Sequence, residues 1–185
     1  MKAVVIRAGD FFGSGTGLWF DLVMAKDLQR GKFTYPGRLD VATSWAYLPD
    51  LAQVFVKVAG QRECLPAFET LHFGGYQLTG QDWAGAFTAI AHEQGWTPAQ
   101  GTLRVNSLSW PLLRVAGLFV PKMAALWEMR YLWRTPYALA NDRLQGLIGP
   151  EPHTALPLAL RTALDGLGML AAALQAHGAP SLSLR

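Results

Sequence analysis

Cysteine is nearly absent from this 185-residue chain, and that absence narrows its chemistry at once. Cys64 stands alone, so neither a disulfide framework nor a thiolate metal cage can form within one chain. It sits beside Leu65 and Pro66 and reads as an ordinary reduced thiol. The four histidines, His72, His92, His153 and His177, lack metal-ligand spacing, so no metal is expected. Charge is also scarce, at 16% of residues. Residues 1–99 hold 8 Lys/Arg against 9 Asp/Glu, and residues 100–185 hold 8 against 4, giving the net +3. No basic cluster with interleaved aromatics occurs, which argues against a nucleic-acid partner. A long apolar run is missing too. The stretch "SLSWPLLRVAGLFVPKMAALWEMRYLW" is interrupted by Arg114, Pro121 and Lys122, short of the roughly 20 residues a span needs, so a membrane partner is not expected, a membrane-surface hairpin being the lesser alternative. Its aromatics suit a lid or a subunit interface. The start "MKAVVIRAGD" is too short and strand-like for a secretory signal, and a cytoplasmic setting follows.

What the chain does contain is apolar residues, 51% of the total, enough for a sizeable core. Residues 3–8 form an unalternating β-branched run, the pattern of a strand covered on both faces. The spacing predicts a helix over about 18–30, closed by Gly31, and "KFTYPGRLD" then reads as turn material around Pro36-Gly37. Pro49-Asp50 opens a helix with Leu51, Val54, Phe55 and Val58 on one face, ended by Gly60. Asp50 is the expected N-cap of that helix. "FETLHFGG" is a second strand candidate. Thr79 and Asp82 form a capping-box-like pair before a helix whose stripe is Trp83, Phe87 and Ile90, closed by Gly95. Beyond Gly101 the pattern reads as helical throughout. Breaks fall near Pro111, Pro121 and Pro136, a short helix covers 141–148, and a longer one covers 154–176 with Leu160, Leu164, Leu167, Ala171 and Leu174 aligned. The tail "HGAPSLSLR" reads as mobile. Two strands cannot form a sheet that covers so many helices.

The stretch "VVIRAGDFFGSGTGLWF" resembles a nucleotide-binding turn at first sight. Gly13, Gly15 and Gly17 give G-x-G-x-G, however, not the G-x-G-x-x-G that lets a backbone approach a pyrophosphate. A P-loop ending is absent, and Ser14 is one position out of a nucleophile elbow. A glycine-rich loop entering a helix is the plainer reading.

"VVIRAGDFFG" does resemble the sixth strand and following loop of the extended short-chain dehydrogenase/reductase family, the NAD-dependent epimerase/dehydratase group. "SWAYLPDLAQVFVKVA", "LHFGGYQLTGQDWAGAFTAIAHEQG" and "YALANDRLQGLIGPEPHTALPLALRTAL" are similar to later passages of that family, in the same order. The resemblance implies an α/β fold. This would be an incomplete Rossmann-type arrangement of few parallel strands in residues 1–100, with a mostly helical substrate-side or lid region in residues 101–185. It implies that Gly9, Asp10, Phe11 and Phe12 lie beside the nicotinamide of NAD or NADP. Trp19, Trp45 and Tyr47 would line a substrate pocket or else pack helices onto the sheet, and Arg38 would meet a diphosphate. Arg7 would pair with a buried carboxylate. A small-molecule substrate is implied, together with a homo-oligomer or a missing N-terminal half. The family's pyrophosphate turn and Tyr-x-x-x-Lys belong upstream of the first strand. None of Tyr35, Tyr47, Tyr76, Tyr131 and Tyr137 has a lysine four residues on, so no catalytic residue is assigned. The implied protein acts on a carbonyl, an alcohol or a sugar nucleotide, and this chain alone would be inactive. A non-catalytic helical module with a Trp/Leu-rich partner surface is the alternative.

Overall fold

A computed structural model describes residues 2–97 and 101–170. Strand β1 (Ala3–Arg7) pairs in parallel with β5 (Phe68–His72), Val5 opposite Thr70. Strand β2 (Asp10–Phe12) pairs in parallel with β4 (Thr43–Tyr47), which pairs antiparallel with β6 (Tyr76–Leu78). Strand β3 (Lys32–Tyr35) runs parallel to β7 (Arg104–Ser107). The helices are α1 (Leu48–Gly60), α2 (Gly80–Glu93), α3 (Trp110–Ala116), α4 (Pro121–Glu128), α5 (Asp142–Ile148) and α6 (Leu156–Gly166). The arrangement is α/β with few, mostly parallel strands, as the resemblance implied.

Both long helices begin as their sequences dictate. Pro49 supplies a preset φ in the first turn of α1. Thr79 accepts from Asp82 N–H (3.1 Å) while the Asp82 carboxylate accepts from Thr79 N–H (2.8 Å), a reciprocal capping box. Trp83, Phe87 and Ile90 are buried as their spacing required. Leu51, Val54 and Val58 of α1 are buried too, but Phe55 is 52% exposed, because the apolar stripe is narrower than its spacing suggested.

Several expectations are corrected. The single helix over 18–30 is one π-helical turn (Phe20–Met24) and one 3₁₀ turn (Leu28–Arg30), although Gly31 does end it in the left-handed region at φ 72°. Lys32–Tyr35 is a strand rather than turn material, and Arg104–Ser107 interrupts the supposedly all-helical second half. The expected breaks do fall near Pro111 and Pro121, and both prolines sit in the first turn of the helix that follows, where proline forfeits no intrahelical bond. Asp50 does not cap α1. Its buried carboxylate accepts from Thr154 N–H (2.8 Å) and the Thr154 hydroxyl (2.7 Å), tying α1 to the segment before α6. Arg7 is exposed and has no carboxylate partner among the described residues. In the last long helix Leu160 and Leu164 are buried, while Ala171, Leu174 and the tail lie outside the described residues.

One core joins Phe12, Phe20, Phe33, Trp45, Trp83 and Phe87 to Leu103, Trp110, Trp133 and Leu160. A second, smaller core lies between α1, β5 and α5, around Val54, Val58, Leu71, Phe73 and Leu144. Strand β4 serves both, with Trp45 and Tyr47 in the first and Ala46 in the second. All five β4 residues are buried, which makes this short strand the hinge of the architecture.

Candidate functional site

Successive side chains of a strand point to opposite faces, so β2 divides its residues between surface and core. Phe12 is fully buried among Tyr47 (ring centroids 5.1 Å), Trp83 (5.2 Å) and Tyr76 (5.5 Å). Phe11 is exposed. Asp10, directly opposite Trp45, is half-buried, and burial raises its carboxyl from the ordinary 3.8 to about 6. Just before it, Gly9 runs so close to β4 that an added Cβ would lie 2.0 Å from Ser44 O.

Two tyrosines to which the sequence assigns no site role share this neighbourhood. Burial pushes the Tyr35 phenol up to about 12, and its hydroxyl lies beside Thr43 without hydrogen-bond geometry. Tyr137 is likewise raised to about 12, mainly by burial and further by the Asp10 charge, and its hydroxyl donates to Ser44 O (3.4 Å). The result is a carboxyl raised toward neutrality by burial, beside two phenols that burial raises further above their ordinary 10. Of this set the half-buried Asp10 carboxyl is the group able to exchange a proton with a ligand, since the Tyr35 hydroxyl is buried and Tyr137 donates to Ser44 O. Nothing in the spacing of Asp10, Tyr35 and Tyr137 announces the cluster, because β-pairing and a distant loop assemble it.

The glycine-rich turn has a different character. Gly17, at φ 92°, and Leu18 both donate their N–H groups to the Asp21 carboxylate, at 2.9 and 2.6 Å. An internal carboxylate therefore occupies the amides that a phosphate would want. This turn does not fit a dinucleotide pyrophosphate.

The proposed substrate residues separate. Trp19 borders an apolar cleft of about 500 Å³ with Leu18, Val23, Leu113 and Met123, and Lys26 is its cation. Its indole also packs edge-on against Trp133 (5.5 Å). Trp45 is wholly enclosed, its indole N–H donating to the Thr43 hydroxyl (3.0 Å), and Tyr47 is buried. Neither presents a wall to the cleft. Arg38 lies on the surface in a two-pronged contact with Asp40, at 3.0 and 2.6 Å. Gly9, Asp10 and Phe11 thus cluster at the β2 edge, Trp19 stands at the cleft, and Arg38 is apart from both.

A clasp behind this region was also invisible in the sequence. Glu151 accepts from Gly74 N–H (3.0 Å) and Gly75 N–H (3.3 Å), and Tyr76 donates to Thr154 O while stacking on His153 (4.6 Å). With the Asp50–Thr154 pair, this holds the approach to α6 against the ends of β4 and β5. Gly75 takes φ 59° there, with Trp45 O only 2.2 Å from where a Cβ would be.

No protein-family model matches the chain, and no curated protein does either. Solved structures do. The NAD-dependent NDP-hexosamine 5,6-dehydratase TunA superposes with a TM-score of 0.60 at 16% identity, over 88% of this chain and 44% of its own. The UDP-glucuronic acid 4-epimerase of Bacillus cereus, in complex with UDP-glucuronic acid and NAD, gives 0.58 at 14%, over 89% and 45%. The UDP-glucose 4-epimerase of Thermotoga maritima with UDP-glucose gives 0.58 at 11%, over 91% and 46%. At such identities the likeness establishes the fold. The chain is folded like part of an NAD-dependent epimerase/dehydratase structure, and it spans less than half the length of the solved chains it matches.

Proposed function

We infer that this chain is the substrate-side part of an NAD(P)-dependent epimerase- or oxidoreductase-like protein acting on a sugar nucleotide or another carbonyl or alcohol. The observation that carries the reading is the shared fold over about nine-tenths of the chain with enzymes whose complexes contain UDP-sugars and NAD. In this reading the Asp10–Phe11 edge borders the reacting end of the cofactor, and the Trp19 cleft admits the substrate. The helical segment beyond residue 100 acts as a lid. Arg38 exchanges its exposed Asp40 partner for a diphosphate, since a surface ion pair of this kind is worth little and yields readily.

The pyrophosphate-binding turn and the Tyr-x-x-x-Lys pair belong to polypeptide that this sequence does not contain, and the setting is cytoplasmic. The open edge of β1 supports that arrangement. Among the described residues β1 pairs only with β5, although its composition is that of an interior strand. An N-terminal half, or a second copy in a homo-oligomer, would complete it. The chain by itself turns nothing over. Titrated with NADH and followed by cofactor fluorescence, it is expected to show no saturable binding below about 1 mM. Saturable micromolar binding would overturn the assignment of the cofactor site to another segment.

A further inference from the structure

Five large exposed apolar residues of the second half, Leu112, Val115, Leu118, Phe119 and Val120, belong to one feature, the hairpin of α3 and α4. Its base is anchored. Trp110 is buried and donates its indole N–H to Pro36 O (2.6 Å), and Leu113 packs against the larger core. Its bend is tight and hydrogen-bonded, with Phe119 N–H and Val120 N–H both donating to Ala116 O (3.1 and 2.9 Å). The helices approach so closely that a Cβ on Gly117 would lie 2.9 Å from Ala124 N. The tip is therefore a defined element, and it is apolar. Leu118 is 78% exposed and Phe119 83%, with Val120 beside them and Leu112 and Val115 exposed along α3.

Cations flank the hairpin, with Arg114 bordering a groove shared by Val115, Leu118 and Trp127. Residues 101–140 contain Arg104, Arg114, Lys122, Arg130 and Arg134 against Glu128 alone. Arg130 and Arg114 lie over the Trp127 ring, at 4.0 and 5.7 Å from its centroid. Apolar side chains at a tip, a half-buried tryptophan and two arginines over it match an interface that is apolar within and negatively charged at its surface.

We propose that the α3–α4 hairpin is a membrane-surface finger that seats on an anionic lipid bilayer through Leu118, Phe119 and Val120. No helix among the described residues is long and apolar enough to cross a membrane, so the finger rests in the interface. A second copy of the chain is a poorer occupant. A two-fold contact through this tip would bring Arg114 and Arg130 of one copy toward the same cations of the other. The β1 edge, where a companion half would dock, lies against the other core. The interrupted apolar run of residues 107–133 is too short to span a bilayer but leaves open the membrane-surface hairpin that the sequence also allows.

Flotation of the full chain with vesicles tests this. The chain is expected to float with phosphatidylcholine vesicles containing about one-third phosphatidylglycerol, to stay behind with pure phosphatidylcholine, and to be released as salt rises from about 0.1 M to 0.5 M. Phe119→Asp is expected to lower the bound fraction about tenfold or more, because it removes the largest inserted group and adds like charge. Phe119→Leu is expected to retain binding. Both variants should keep the parental circular dichroism, since the side chain makes little packing contact. Failure of the chain to float with anionic vesicles, or equal flotation of Phe119→Asp, overturns the proposal. So does a dimer in light scattering that Phe119→Asp converts to monomer without any vesicle binding, which would assign the tip to a second copy.

Discussion

Gly9→Ala is expected to abolish the native fold, or to leave a soluble remnant destabilised by about 4 kcal/mol or more, the range reserved for unrelievable steric conflicts. A methyl group there would lie 2.0 Å from Ser44 O, 2.3 Å from Ser44 C and 2.7 Å from Ser44 Cβ. Two of these atoms are backbone, so no side-chain rotation relieves the contact. The strand that would have to retreat is β4, buried along its whole length and shared by both cores. Displacing it would disturb Trp45 on one side and Ala46 on the other. Gly60→Ala provides the contrast, because a Cβ at the end of α1 meets nothing within 4 Å. That variant should stay within about 1 kcal/mol of the parent. Urea unfolding of the two proteins measures the difference, and a Gly9→Ala protein as stable as Gly60→Ala would show that β2 does not run against β4 as described.

The second large effect is a pH dependence carried by Asp10. Burial raises its carboxyl from 3.8 to about 6, so the folded state holds the proton more tightly than the unfolded chain does. The associated stability is fully present below about pH 4 and is lost as pH rises through 6. The total is about 2–3 kcal/mol for a shift of this size. Asp10→Asn removes the titration. Its stability should match the parent near pH 4 and exceed it by most of that amount at pH 8. Denaturant midpoints of both proteins across this range check the claim, and parallel curves would contradict it. The same experiment bears on function. A carboxyl that titrates near neutrality beside two protonated phenols is suited to proton exchange with a ligand, and an ordinary surface aspartate is not.

Local chemistry made part of this architecture legible. The Thr79–Asp82 box, the proline in the first turn of α1, the glycine that ends Leu28–Arg30 and the apolar run of β1 all act over a few residues. The rejection of the glycine-rich turn as a phosphate cradle also rested on local spacing, and Asp21 supplies its physical reason. What the sequence concealed was long-range. Strands β3 and β7 have only four residues each, one running into Pro36-Gly37 and the other lying among helix formers, and only their mutual pairing identifies them. Asp50 has an N-capping side chain, yet Thr154 claims it from far along the chain. In the same way Trp45 and Tyr47 look like pocket walls in sequence because aromatic residues serve in pockets and cores alike. The Asp10, Tyr35 and Tyr137 neighbourhood joins three segments that no spacing rule connects.

The central claim is that this fold works as the substrate-side part of a larger cofactor-dependent protein. Intact-mass and peptide mapping of the polypeptide from its native source tests it most directly. The account expects a chain well above 20.2 kDa whose additional sequence carries a G-x-x-G-x-x-G turn and a Tyr-x-x-x-Lys pair, and which binds NAD(P). A folded native polypeptide of 20.2 kDa that binds no nicotinamide cofactor would contradict it and leave the helical interaction surface as the function to pursue.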